Sequence, residues 1–181
     1  MNKKIKKLSF IAVLSACLCV VSPWSIHIGQ IPITLATFAI YIIGSVTRKL
    51  DGLIVTLIYI FIGIIGIPVF SSFQAGIGTI LGITGGYIIG FLPCIWIINL
   101  FTCINKQKFF WYPFSMLLGT IVCYITGSIW YMIQTENTLQ NTFLVCIAPF
   151  IIFDAIKIIV ASIIGYIMNV RITLFYSIYA E

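Results

Sequence analysis

The sequence predicts an all-α integral membrane protein: one domain over residues 1–181, folded as a bundle of six transmembrane helices. Three observations carry this. Of 181 residues, 61% are hydrophobic and only 8% are charged, whereas about a quarter of a soluble domain is charged. The mean hydropathy is +1.18. The apolar residues also gather into runs of spanning length, since about 20 helical residues cross a hydrocarbon core of about 30 Å. Finally, most prolines and charges fall between those runs and punctuate them.

The first span is expected over residues 8–24. Lys3, Lys4, Lys6 and Lys7 precede LSFIAVLSACLCVV, which has the shape of a signal peptide, and LSAC resembles a lipobox. More membrane follows, not a secreted domain, so a retained span is the better reading. Pro23 and Pro32 bracket a loop. A second span over 33–47 stops at Arg48, Lys49 and Asp51, and a third over 52–67 stops at Pro68. Residues 69–82 read as an uncharged, glycine-rich loop. The fourth span covers 83–103 with a kink expected at Pro93. Lys106 and Lys108 mark the next turn, and the fifth span covers 113–133. The polar QTENTLQN and a lead-in over 141–148 precede the sixth span, 149–169.

Six spans put alternate connections on opposite sides. Lys3, Lys4, Lys6, Lys7, Arg48, Lys49, Lys106, Lys108 and Arg171 then share one side, and the other side has no lysine or arginine in its loops. Cytoplasmic loops carry the basic excess, so both termini are expected in the cytoplasm. This distribution accounts for the net charge of +6 and leaves no case for nucleic-acid binding.

The tenth basic residue, Lys157, lies inside the sixth span beside Asp154, the one acid inside a span. Each charge in hydrocarbon costs roughly 2.5–3.5 kcal/mol on insertion scales. The i, i+3 spacing puts both on one helix face. The pair therefore points to a polar cavity within the bundle; the plainer alternative is mutual neutralisation that pins two helices. Asp154 falls about 7–8 Å below the outer end of its helix, so the cavity is expected to open outward, beneath the loops at 25–32, 68–82 and 134–140. A small polar solute taken from outside is the natural ligand class.

Other features are weaker. Phe70, Phe73 and Gln74 either cover a ligand or form an interfacial aromatic belt. Tyr87 either donates into the cavity or anchors at the headgroups. Gly82, Gly86 and Gly90 leave one helix face bare for close packing. Ala12 and Ala16 form a small-xxx-small pair, used for internal packing or for docking another protein. His27, the sole histidine, reads as a solvent-facing loop residue. The six cysteines are scattered without a CxxC and read as small hydrophobes, so no metal site is expected. No phosphate loop, HExxH or carboxylate pair is present, so neither ATP hydrolysis by this chain nor enzymatic activity is expected.

Four segments carry a resemblance: PITLATFAIYIIG, GLIVTLIYIFIGIIGIPVFSSFQAGIG, ITGGYIIGF and PFIIFDAIKIIVA. In this order they resemble the BioY family, the biotin-binding S components of energy-coupling factor (ECF) vitamin transporters. The resemblance spans nearly the whole chain. It implies the ECF S-component fold and an outward-facing biotin site in a bacterial plasma membrane. It also implies partners: a transmembrane coupling protein and two cytoplasmic ATPases, which use the ATP, so that this chain needs no cofactor. Asp154, Lys157, Tyr87, Gln74, Phe73 and Thr34 are then the candidate biotin contacts, and Ala12 and Ala16 the docking face. Family members often carry glutamine where this chain has Ala36, before Thr37; Gln74 or Gln30 would substitute. Asp154 is suited to accept the ureido N–H groups, and Lys157 to donate to the carbonyl or the carboxylate; the sequence leaves that choice open. The rival readings are an S component for another vitamin, a self-sufficient proton-coupled transporter, and a non-transport protein whose ion pair only specifies packing.

Overall fold

The computed structural model describes residues 3–27, 31–48, 50–104 and 106–178. These form helices α1 (Lys3–Val21), α2 (Ala36–Val46), α3 (Asp51–Ile64), α4 (Ile77–Leu81), α5 (Gly85–Ile104), α6 (Trp111–Thr135), α7 (Leu139–Cys146) and α8 (Phe150–Ile178). Strands β1 (Ser25–His27) and β2 (Pro32–Thr34) pair antiparallel, with Ile26 opposite Ile33. Gln30 and Lys49 lie outside the described residues.

The expected spans correspond to α1, α2, α3, α5, α6 and α8. Three of them, α5, α6 and α8 over Phe150–Arg171, are long and apolar enough to cross a membrane. α2 and α3 are apolar but have 11 and 14 residues, or about 16 and 21 Å of helix. α1 has 19 residues, and its first turns are lysine-rich. α8 runs well past the expected end at residue 169, and α5 continues through Pro93.

Two segments expected as connections are structured. The glycine-rich stretch contains a 3-10 turn at Ser71–Phe73 and then α4. The lead-in before the sixth span is helix α7, which begins after an extended Thr138 and buries Thr142 and Cys146. Both are one or two turns long, too short for a 3.6-residue pattern to repeat.

α5 and α6 make the most extensive helix contact, and glycine explains it. A Cβ on Gly86 would lie 2.2 Å from Trp130 Cβ, and one on Gly90 2.2 Å from Thr126 Oγ1. The glycine stripe therefore serves packing. Gly82 stands just before α5, where its carbonyl accepts the Trp130 indole N–H at 2.9 Å. α8 approaches α2 just as closely, since a Cβ on Gly165 would meet Ser45 Oγ at 2.3 Å. Between these helices lies a core that includes Leu18, Ile40, Val55, Ile95, Ile98 and Met116, all fully buried.

The two ends of the bundle differ. At one end the chain turns between α2 and α3 and between α5 and α6. There Lys7 pairs with Asp51 at 2.6 Å, and Asn99 Nδ2 donates to Gly44 O and Thr47 Oγ1. Asn169 Nδ2 donates to Ser45 O. Burial lowers the Lys106 pKa, and the nearby Arg48 adds to the shift. At the other end lie the β-hairpin, the turn and α4, and α7; beneath them is a cavity.

Candidate solute-binding cavity

The cavity forms where the first turns of α8 meet α2, α5 and α6. The buried face of α8 reads Asp154, Ile158, Ala161, Ser162, Gly165, Asn169, a helical ridge that places Asp154 inside at 3% exposure. About 660 Å³ of empty space lies among the lining side chains, counting the part open to solvent. The walls are mainly apolar and aromatic, with Ile88, Phe91 and Phe150 beside the rings of Tyr41, Tyr59, Tyr87 and Tyr124.

The polar groups converge on Asp154. Lys157 Nζ donates to Asp154 Oδ1 at 2.9 Å, to Thr37 Oγ1 at 3.0 Å and to the Thr34 carbonyl at 2.8 Å. An ammonium has three protons, so all are engaged. Tyr124 donates to Asp154 Oδ2 at 2.6 Å, and Thr37 Oγ1 lies 3.5 Å from Oδ1. A carboxylate offers about four lone-pair sites, so Asp154 keeps acceptor capacity toward the cavity. Two further pairs line the space: Tyr41 with Thr120, and Ser22 with Tyr59, each at 2.6 Å. The arrangement suits a small, largely apolar ligand that carries hydrogen-bond donors.

The residues singled out from the sequence separate into two groups. Asp154, Lys157, Thr34 and Tyr87 line the cavity, as does Ala36. Tyr87 does so with its ring. Its hydroxyl is directed away and donates to the Cys146 carbonyl at 2.7 Å, while the ring stacks on Phe150 at 6.3 Å and lies against Gly127. Phe73 and Gln74 do not line this cavity. Phe73 is 58% exposed and packs edge-on against Trp24, because Ser72 and Phe73 both adopt left-handed backbone angles (φ 58° and 60°) that carry the ring outward. Gln74 lines a separate, more open groove, which shares Pro32, Ser71 and Thr84 with the cavity wall. Phe70 is fully buried, edge-on to Tyr59 and over Gly63.

Tyr41, Tyr59, Thr37, Thr120 and Tyr124 were not among the residues singled out as contacts. For Thr120 one signal was available: Met116, Thr120, Cys123, Gly127 and Tyr131 recur at helical spacing along α6. Ala12 and Ala16 are exposed on the outer face of α1 and take no part in packing the bundle's interior.

A helical membrane protein that holds a buried ion pair against a largely apolar cavity beneath loops is built to bind a small solute. The chain belongs to the BioY family, whose model matches residues 1–173. It is 35% identical over 162 residues to a probable biotin transporter BioY from Pyrococcus horikoshii, covering 90% of this chain and 95% of that protein. It is 33% identical over 149 residues to the biotin transporter BioY of Thermotoga maritima, covering 82% and 87%. These relatives are transporters, not enzymes. The fold matches the crystal structure of the S-component for biotin from an ECF-type ABC transporter, with a TM-score of 0.84 and 26% identity over 93% of this chain and 94% of that one.

Proposed function

We propose that this chain is the substrate-binding membrane subunit of an ATP-driven biotin uptake transporter. The observation that carries the reading is the Asp154 carboxylate, 3% exposed, with one acceptor site unused at the wall of an apolar cavity. A ureido N–H group of biotin supplies the donor such an acceptor needs, and its thioether ring and aliphatic tail suit the apolar walls. Asp154 receives the ureido ring. Lys157, whose protons are all engaged on the protein, holds Asp154 and the end of the hairpin until a ligand acceptor replaces one of those bonds. A site that satisfies buried polar groups discriminates strongly against analogues lacking them.

Six spans, with both termini in the cytoplasm of a bacterial cell, fit the clustering of Lys4, Lys6, Lys7, Arg48, Lys106, Lys108 and Arg171 at the bundle end remote from the cavity. The cavity then faces outward. The exposed Ala12 and Ala16 offer a flat strip on α1 where a transmembrane coupling protein would dock closely. Two cytoplasmic ATPases would supply the energy, and this chain would need neither cofactor nor metal.

The test is calorimetric titration of the purified chain with biotin, repeated in competition with a panel of other vitamins. Tight binding of biotin alone is expected; displacement of biotin by another vitamin, or no binding, overturns the assignment. Ala12→Trp with Ala16→Trp is expected to abolish co-purification with the coupling protein while leaving biotin affinity unchanged. Uptake that persists without the ATPases would instead identify a self-sufficient carrier.

A further inference from the structure

The Asp154 carboxylate is held from three helices, with Thr37 of α2 reaching Oδ1 at 3.5 Å. On Oδ1 it is held by Lys157, one turn along the same helix. On Oδ2 its hydrogen bond among the described residues comes from Tyr124, on α6. The terminal torsion of an aspartate is broad and roughly two-fold, and a partner on the same helix moves with it. The bond from α6, at 2.6 Å against 3.5 Å from Thr37, is therefore the stronger tie of the carboxylate plane to the rest of the bundle. Tyr124 is itself fixed nearby: Thr120, one turn earlier on α6, hydrogen-bonds Tyr41 of α2 at 2.6 Å, and the Tyr124 ring lines the cavity.

We propose that Tyr124 is the positioning residue of this site, orienting the Asp154 carboxylate so that its remaining lone pair, on Oδ2, meets an N–H group of a cyclic urea. The role rests on the biotin reading above. Tyr124 acts through Asp154. Its hydroxyl is the donor that sets the angle at which the ligand is received, and removing it leaves Oδ2 free to swing about the Oδ1 bonds to Lys157 and Thr37.

Tyr124→Phe keeps the ring and removes the donor. Hydrogen bonds to charged groups are the stronger ones, so this variant is expected to weaken biotin binding roughly tenfold or more. In an Asp154→Asn background the same change is expected to cost less than about twofold, because nothing remains to be oriented. Equal losses in both backgrounds, or no loss in Tyr124→Phe alone, overturn the proposal. A second readout needs neither ligand nor Asn variant. The chain has two aspartates, Asp51 and Asp154, so carbon-13 aspartate labelling isolates two carboxylate bands in the infrared. One band is expected to shift in ligand-free Tyr124→Phe and the other to stay; two unmoved bands overturn the proposal whatever the ligand. A shifted band in a protein that binds no biotin supports the positioning role and removes the biotin reading.

Discussion

Both ends of this bundle bury polar side chains in apolar surroundings, and they do so to different effect. At the end remote from the cavity, the amides of Asn99 and Asn169 are spent on helix backbone and side chains within the protein. Asn99 reaches Gly44 O and Thr47 Oγ1, Asn169 reaches Ser45 O and Gly165 O, and Thr102 bonds Ser115. At the cavity end, Asp154 has acceptor capacity left over and empty space before it. Polar groups whose hydrogen bonds are all made within the protein hold helices together. A polar group with capacity to spare beside a void waits for a ligand. The contrast also separates two charged pairs: Lys7–Asp51 is partly exposed, with 58% of the lysine side chain open, whereas Lys157–Asp154 is buried, at 12% and 4%.

The largest effect should come from the cavity end. Asp154→Ala leaves the Lys157 ammonium buried without its counter-charge, a change that costs about 3–5 kcal/mol when a buried pair is broken. Biotin affinity should fall by at least about 100-fold in calorimetry; an unchanged affinity would place this pair with the helix-pinning groups. Asn99→Leu should act the other way round. Thermal unfolding should show a loss of about 0.5–2 kcal/mol, typical of an interhelical hydrogen bond in a membrane protein, with biotin affinity kept within about twofold. A large loss of binding there would join the two ends into one unit. Tyr87→Phe keeps the ring that lines the cavity and removes the bond to Cys146, so stability should drop by about 0.5–1.5 kcal/mol with little change in affinity. The smallest effect is expected for Phe73→Ala, since the ring lies outside on Trp24. A fall in biotin affinity beyond about twofold would show that the turn folds inward when the ligand binds.

How much of the site was legible followed from cost. Asp154 and Lys157 stand out in an apolar run because charge in hydrocarbon is rarely tolerated without a purpose. Tyr41, Tyr59 and Tyr124 did not stand out, because tyrosine is ordinary near membrane interfaces. They become a site only when α2, α3 and α6 bring their rings around one space. Phe73 was misleading for a backbone reason: its place in the loop suggested cover, and the left-handed turn at residues 72 and 73 points it away.

By itself, the sequence determined the membrane class, the principal helices and the helix face that carries the acid and the base. Hydrophobic run length and side-chain spacing are local properties, readable along one strand of text. The tertiary structure decided which polar groups are spent and which are free. It shows Lys157 with all three protons engaged, Asp154 held from α6 by Tyr124, and Tyr87 turned toward Cys146. Hydrogen-bond satisfaction depends on partners brought together from distant parts of the chain, such as Thr34, Tyr124 and Asp154, and no sequence spacing encodes those distances.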